Sequence, residues 1–153
     1  MLRAIYTSPL GDIELTGDAT TLRGLRFVET GAEGGRGRGA AIEAAFRWLD
    51  LYFAGQAPDL APRLQPEGTA FQHRVWQELM KIPYGETDTY GAIARRVGCR
   101  SAQAVGQAIG RNPIAIIIPC HRVVGAEGRL TGYAYGVERK RRLIEMEAAG
   151  ALL

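Results

Sequence analysis

Three short runs of strand-like composition open the chain, at residues 3–8, 12–17 and 21–28. Pro9-Leu10-Gly11 and Asp18-Ala19-Thr20 separate them and contain the residues that turns favour. Short strands joined by tight turns predict a small antiparallel meander.

The rest of the first half combines a glycine-rich segment, one helix and a linker. Gly31–Gly39 has five glycines in nine residues and predicts a flexible loop. Residues 40–53 follow with apolar side chains at helical spacing, namely Ile42, Phe46, Leu49 and Phe53. Residues 56–68 contain three prolines and no clear periodicity. We interpret them as a linker and expect two domains, 1–66 and 67–153.

The second half begins with a helix and continues with two shorter helical stretches. Thr69 and Gln72 have the spacing of a capping box, and an apolar stripe follows until Pro83-Tyr84-Gly85 ends the helix. Residues 89–97 and 101–109 are joined by a glycine-containing turn, which is typical of a helix-turn-helix. The side chains of 101–109 are unusually small. They suit either close approach to a nucleic-acid groove or tight packing against another helix.

An apolar run at residues 114–118 is predicted to be buried, and it leads directly into Pro119-Cys120-His121-Arg122. Gly125–Gly128 predicts a turn, and 130–136 form a loop rich in glycine and tyrosine. A charged helix is expected over 137–149.

Composition restricts the class of protein. The chain is 46% apolar and 23% charged, as soluble globular proteins are, and no apolar stretch approaches the roughly 20 residues of a membrane span. The N-terminus lacks the apolar core of a signal peptide. We expect a cytoplasmic protein with reduced thiols, no membrane association and, from the spacing of its cysteines and histidines, no metal site.

The positive charge is concentrated in the second half. Residues 1–66 carry 7 Lys/Arg and 8 Asp/Glu, a net charge of −1, whereas residues 67–153 carry 12 and 8, a net charge of +4. This favours a polyanionic partner for the second half. The alternative is a basic surface that serves solubility.

Cys120 and His121 are a candidate nucleophile and general base. A cysteine reacts as the thiolate, which apolar surroundings disfavour, so Cys120 needs a proton acceptor or a positive field. Neighbouring side chains in an extended segment point to opposite faces. A Cys120–His121 couple therefore requires a turn, which Pro119 allows, or a bridging water.

The run from Arg111 to Gly125, Arg-Asn-Pro-Ile-Ala-Ile-Ile-Ile-Pro-Cys-His-Arg-Val-Val-Gly, resembles the O6-alkylguanine-DNA alkyltransferases. Similarity extends through Leu130–Gly136 and Glu138–Glu147. It includes three upstream segments, Phe71–Trp76, Ile82–Glu86 and Ala104–Gly106. The match is strong over about 69–147 and looser in the first half, where Ser8-Pro-Leu-Gly11 and Leu51-Tyr-Phe-Ala-Gly55 fit the family layout.

The resemblance implies an α/β (α+β) protein. A small RNase H-like sheet-plus-helix domain would precede a helical domain of winged helix-turn-helix type. It also implies direct-reversal DNA repair. An alkyl group would move irreversibly from O6-alkylguanine, and from O4-alkylthymine, to Cys120. The protein would be a methylated-DNA–protein-cysteine methyltransferase that acts once, because the family has no step that breaks the thioether.

Four residues match the family's reactive centre. Cys120 corresponds to the acceptor, His121 to a base that withdraws the thiol proton through water, and Glu147 to the carboxylate that orients His121. Asn112 corresponds to the hinge residue whose side chain braces the surroundings of the thiol. No cofactor and no metal are implied.

Other residues match the family's DNA and base contacts. Tyr90 would help rotate the target phosphate and would hydrogen-bond guanine N3. The Val123 carbonyl and the Ala134 amide would recognise the flipped base, and Tyr133 would wall the pocket. The remaining contact residues implied are Ala102, Gln103, Ala104 and Gly106 of the recognition helix, together with Arg122. The implied partner is double-stranded DNA, bound through its minor groove by a monomer.

The chain departs from the family at Gln103, where an intercalating arginine is usual. Glutamine is shorter and uncharged, so the departure predicts weaker DNA binding or slower repair. Three alternatives to repair remain at this point. They are an alkyltransferase-like protein that recognises damage without repair, a helix-turn-helix regulator with a redox cysteine, and a Cys-His hydrolase.

Overall fold

The computed structural model describes residues 1–32, 34–35 and 37–150. Glu33 and Arg36 of the predicted glycine-rich loop, and residues 151–153 of the predicted second domain, therefore lie outside the described residues. The described residues divide into two compact units, one over Met1–Glu67 and the other over residues 68–150.

The first unit is the predicted meander with one helix. Strands β1 (Leu2–Ser8), β2 (Gly11–Gly17) and β3 (Leu22–Phe27) form an antiparallel sheet in sequence order. Helix α1 (Ala40–Phe53) supplies the other half of the core. The main buried side chains of this unit are Ile13, Leu15, Leu22, Leu25, Ile42, Leu49 and Tyr52.

The second unit is helical, with one short two-stranded element. Its elements are α2 (Ala70–Leu79), β4 (Asp88–Thr89), α3 (Tyr90–Val97), α4 (Ala102–Gly110), β5 (Val123–Val124) and α5 (Val137–Ala149). Strands β4 and β5 pair in parallel. Together the two units confirm the predicted α/β class, with a sheet unit followed by a helical unit. In the described parts of the chain, no helix has the length and apolar character that crossing a membrane requires.

Side-chain caps fix where the helices of the second unit begin. The Thr69 hydroxyl accepts a hydrogen bond from the Gln72 amide at 3.1 Å, and the Thr69 amide donates to Gln72 Oε1 at 2.9 Å, so the predicted capping box is confirmed. The Thr89 and Ser101 side chains each accept a hydrogen bond from the amide three residues further on, and so cap α3 and α4. Gly98 ends α3 at φ +69°, a left-handed conformation that glycine adopts without steric cost. These caps set the short turn of the helix-turn-helix.

A buried hydrogen bond connects α2 to α4. Trp76 Nε1 donates to the Ala108 carbonyl oxygen at 2.8 Å, and the Trp76 side chain is almost wholly buried. This bond holds α4 against α2 at the point where α4 continues toward the apolar run.

Replacing this tryptophan should destabilise the second unit. Trp76→Phe removes the indole donor and leaves a smaller ring in a packed position, so we expect the free energy of unfolding to fall by about 2 kcal/mol. Urea denaturation at pH 7 measures the change. A loss below about 0.5 kcal/mol would show that neither the bond nor the ring contributes as argued.

Candidate functional site

The apolar run before the cysteine is buried, as predicted, but it is not a strand. Residues 114–118 form an irregular loop whose side chains are almost wholly inaccessible. Ile116 has φ +69°, a conformation that β-branched residues rarely adopt. A strained backbone of this kind persists only where its surroundings hold it.

The Asn112 side chain stabilises this loop conformation through two hydrogen bonds. Its Nδ2 donates to the Ile118 carbonyl oxygen at 2.7 Å, and its Oδ1 accepts from the Ile114 amide at 3.0 Å. The side chain is buried, so both bonds are shielded from water. One amide thus closes the loop at both ends.

The chain turns immediately after the loop. Cys120–Arg122 form a single turn of 3-10 helix that follows Pro119. The segment is therefore not extended at Cys120 and His121, and the turn, one of the two arrangements considered for this pair, is present.

The Cys120 thiol lies in an environment with opposing effects on its pKa. Burial raises the pKa of Cys120, and it outweighs hydrogen bonds from Asn112 and from the backbone amides of Cys120 and His121, which lower it. The charge of Lys140 also lowers it. A buried thiol of this kind needs an acceptor for its proton before it reacts.

His121 and Glu147 form a buried couple next to the cysteine. His121 Nε2 lies 2.6 Å from Glu147 Oε2, and both side chains are almost wholly inaccessible. Burial would raise the pKa of Glu147, but the interactions with His121 and Arg122 outweigh it and lower the pKa to about 2. Burial lowers the pKa of His121, despite the opposing effect of Glu147. At neutral pH an ionised carboxylate therefore accepts from the Nε2–H of a neutral imidazole, which leaves Nδ1 as the basic nitrogen.

Arg122 completes this network from the other side. Its Nε donates to Glu147 Oε1 at 2.7 Å and its Nη2 to Glu147 Oε2 at 3.2 Å, while Nη1 donates to the Ile82 carbonyl oxygen at 2.8 Å. The side chain is buried. A guanidinium held in this way points into the protein, so the structure does not support the DNA contact that the resemblance implied for Arg122.

A cavity of about 280 Å³ opens above the thiol. It brings together Cys120 and Asn112 of the reactive centre with Tyr90, Gly106, Tyr133 and Ala134 of the predicted base contacts. Its other lining residues are Ile109, Gly110, Gly132 and Tyr135. Val123 lies buried in β5 and is not among the residues that line the cavity.

Lys140 is a component of the site that the sequence analysis did not identify. The residue is wholly buried, and its Nζ donates to Tyr90 Oη at 3.3 Å and to the carbonyl oxygens of Thr131 and Gly132 at 3.2 and 3.4 Å. It thus joins α5 to the tyrosine and the loop that line the cavity. The available signal was that Lys140 is one of only two lysines in a chain otherwise dominated by arginine.

Helix α4 has one packed face and one free face. Val105, Ala108 and Ile109 are buried, whereas Ala102 and Gln103 are exposed and Ala104 is half-buried. The packing interpretation of the small-residue helix therefore holds for the buried face, and groove contact by the exposed face stays a prediction. Gln103 is on the exposed face and does not line the cavity.

The fold and the site define a two-unit protein whose second unit holds a buried cysteine beside a His–Glu–Arg network. Comparison with known proteins identifies the family. A family model described as the ribonuclease-like domain of 6-O-methylguanine DNA methyltransferase matches residues 1–66. The model of the DNA binding domain of the same methyltransferase matches residues 70–149. The chain therefore belongs to the 6-O-methylguanine DNA methyltransferase family.

Relatives match nearly the whole chain. A methylated-DNA–protein-cysteine methyltransferase of Mycobacterium tuberculosis is 47% identical over 149 residues, which cover 94% of this chain and 90% of the relative. One of Methanosarcina acetivorans is 46% identical over 156 residues, with 97% and 99% covered. The crystal structure of Mycobacterium tuberculosis OGT in complex with DNA superposes with a TM-score of 0.89 at 44% identity, with 99% of this chain and 96% of that chain covered.

The His121–Glu147–Arg122 network makes the second unit sensitive to acid. A Glu147 pKa lowered from 4.5 to about 2 contributes stability that is fully present above pH 4.5 and is lost as the pH falls toward 2. The shift corresponds to about 3 kcal/mol. The lowered pKa of His121 acts in the same direction, because the unfolded chain binds a proton below about pH 6.5 that the folded imidazole resists. Denaturant unfolding from pH 7 to 2.5 should therefore show stability falling in two stages.

The matched variant is Glu147→Gln. It leaves the Arg122 guanidinium buried without its counter-charge, so we expect a loss of about 3–5 kcal/mol at pH 7. The difference in the free energy of unfolding between Glu147→Gln and the wild type should become smaller as the pH falls below 4.5. A constant gap across this range would contradict the assignment of the acid-sensitive stability to Glu147.

Proposed function

We propose that this protein repairs alkylated DNA by direct reversal, transferring an alkyl group from O6-alkylguanine or O4-alkylthymine to Cys120. The observation that carries the proposal is the position of the Cys120 thiol in the lining of a cavity, beside the buried His121–Glu147 couple. Family membership and the DNA complex of a close relative support the same function. The substrate is double-stranded DNA.

The reaction begins with removal of the thiol proton. His121 Nε2–H is hydrogen-bonded to Glu147, so Nδ1 accepts the proton of Cys120 through a water molecule. Glu147 then stabilises the imidazolium that forms. The Glu147 carboxylate remains ionised throughout, because the positive charge of the Arg122 guanidinium balances its negative charge.

The thiolate then displaces the alkylated oxygen in line. The Cys120 Sγ–carbon bond forms as the carbon–O6 bond breaks, and the electron pair of that bond remains on the guanine. The guanine then takes up one proton from water, and the His121 imidazolium returns to water the proton that it took from Cys120. The product is a thioether, whose carbon–sulfur bond is stable because a thiolate is a poor leaving group from an unactivated alkyl carbon. One molecule of protein therefore repairs one lesion.

The damaged base must leave the helix to reach a thiol this deeply buried. The walls of the cavity suit a flat aromatic ligand, with Tyr90 and Tyr133 as rings and Gly106 and Ala134 as positions that leave room. Tyr90 hydrogen-bonds guanine N3, and Lys140 Nζ orients the Tyr90 hydroxyl for that contact. The Ala134 amide, in the cavity lining, recognises the base edge. A contact from the Val123 carbonyl, which lies outside that lining, requires the base to reach deeper than the cavity of the free protein.

The exposed face of α4 enters the minor groove. Ala102 and Ala104 allow close approach, and Gln103 occupies the gap left by the flipped base. We leave Arg122 out of the DNA contacts and propose instead that it positions Glu147. The domain boundary at residue 66, a monomeric state and a cytoplasmic location complete the proposal. A role in damage recognition without repair is disfavoured by a complete Cys120–His121–Glu147 set.

The decisive experiment weighs the protein after reaction. Incubation with duplex DNA that carries one O6-methylguanine should add the mass of one methyl group per protein molecule, and peptide mapping should assign it to Cys120 rather than Cys99. Cys120→Ala should gain no mass, and Cys99→Ala should behave as the wild type. An unmodified wild-type protein after prolonged incubation with excess DNA would exclude the proposed function.

Gln103 sets a second prediction. Gln103→Arg adds a longer, charged side chain on the exposed face of α4, which should raise the single-turnover repair rate on duplex DNA by about three- to tenfold. Gln107→Arg adds the same charge one turn further along the exposed face, and serves as the control for a general effect of charge. Equal gains in both variants, or none in Gln103→Arg, would contradict a specific role for position 103.

A further inference from the structure

The hydroxyl of Tyr133 has an unusual environment. Tyr133 lines the cavity with Cys120, and its ring packs edge-on against Tyr135 with the centroids 5.5 Å apart. The residue as a whole is half-buried, but its hydroxyl oxygen is shielded from solvent and has no hydrogen-bond partner among the described residues.

A buried hydroxyl without a partner is costly. Leaving such a group unsatisfied destabilises the folded protein, and buried polar groups in native proteins are nearly always paired. We therefore expect a hydroxyl of this kind, in a ligand cavity, to gain its hydrogen-bond partner in a reacting or ligand-bound state and not in the free protein. Phenylalanine would fill the same space without the cost, so packing does not explain the hydroxyl.

Two hydrogen-bond acceptors are present in the cavity during the proposed reaction. One is the Cys120 thiolate, which forms there, and the other is the oxygen of the alkylated base, which enters with the DNA. The thiolate is the more demanding, because burial opposes its charge. Burial, together with the negative charge of Cys120, raises the pKa of Tyr133 well above its ordinary value. The phenol consequently stays protonated, and remains a donor, wherever the thiolate forms.

We propose that the Tyr133 hydroxyl donates a hydrogen bond to the Cys120 thiolate and so makes Tyr133 a catalytic residue of the acceptor site. This inference rests on the proposed alkyl transfer to Cys120. The bond forms as the thiol proton leaves for His121 and weakens as the sulfur becomes a neutral thioether. Tyr133 therefore favours the reactive state over both the resting thiol and the product.

The test compares Tyr133→Phe with Thr131→Val. Thr131 lies two residues earlier in the same loop and also has a buried hydroxyl without a partner among the described residues, but it does not line the cavity. Each variant loses one such hydroxyl and keeps its shape. The first measurement is the rate at which iodoacetamide alkylates Cys120 in the DNA-free protein as a function of pH, followed by mass spectrometry of the Cys120 peptide.

In Tyr133→Phe the apparent pKa of Cys120 should rise by about one unit, so alkylation below that pKa should slow about tenfold while the plateau at high pH is unchanged. Thr131→Val should follow the wild type. The thermal unfolding midpoint of Tyr133→Phe should be unchanged or slightly higher than that of the wild type, since an unsatisfied group has been removed. A merely structural role would lower stability and leave the pH profile in place.

Methyl transfer from O6-methylguanine in duplex DNA separates the possible failures. Wild-type protein and Tyr133→Phe with identical pH profiles in both assays would overturn the role of Tyr133 while leaving the proposed function intact. A slower DNA reaction with an unchanged iodoacetamide profile would assign the donor to the base oxygen and overturn the thiolate bond. Absence of methyl transfer in the wild type would instead remove the proposed function itself.

Discussion

The second unit depends on the placement of one carboxylate, that of Glu147. It is almost wholly buried and receives hydrogen bonds from His121 and Arg122, which belong to the same turn as the cysteine. A buried carboxylate is tolerated only where opposite charge and donors surround it. The helix that carries Glu147 and the turn that carries Cys120 are therefore fixed relative to each other by one charge. The same carboxylate that stabilises the fold sets the tautomer of the base.

Two sets of charged groups act on the thiol. The His121–Glu147–Arg122 network has its two formal charges, on Glu147 and Arg122, paired with each other. Lys140 is buried, with carbonyl and hydroxyl oxygens as its hydrogen-bond acceptors among the described residues. An ammonium in such surroundings favours a nearby anion. The site thus offers the departing proton a base and the forming thiolate a cation.

Local patterns predicted the elements well and the site only in part. The bounds of α1 and α5 agree with the predicted ranges, because apolar periodicity and charge reveal a helix from neighbouring residues alone. The contact between Arg122 and Glu147 was not predicted, since a guanidinium next to a reactive cysteine suggests a phosphate contact until Glu147, 25 residues away, is known to face it. Lys140 was missed for the same reason. The left-handed conformation of Ile116 has no sequence signal, because the constraint comes from Asn112 and not from Ile116 itself.

Asn112 has a neighbour whose chemistry bears on the lifetime of the protein. A protein that reacts once must remain intact until it meets a lesion, and its thiol is positioned by an amide that age could hydrolyse. Asparagine side chains deamidate when the backbone nitrogen of the next residue attacks them. That residue is Pro113, which has no N–H to give up. The Asn112 amide that holds the strained loop is thus protected from deamidation by the residue that follows it. The Cys120 acceptor site therefore keeps its geometry in a protein that has not yet reacted.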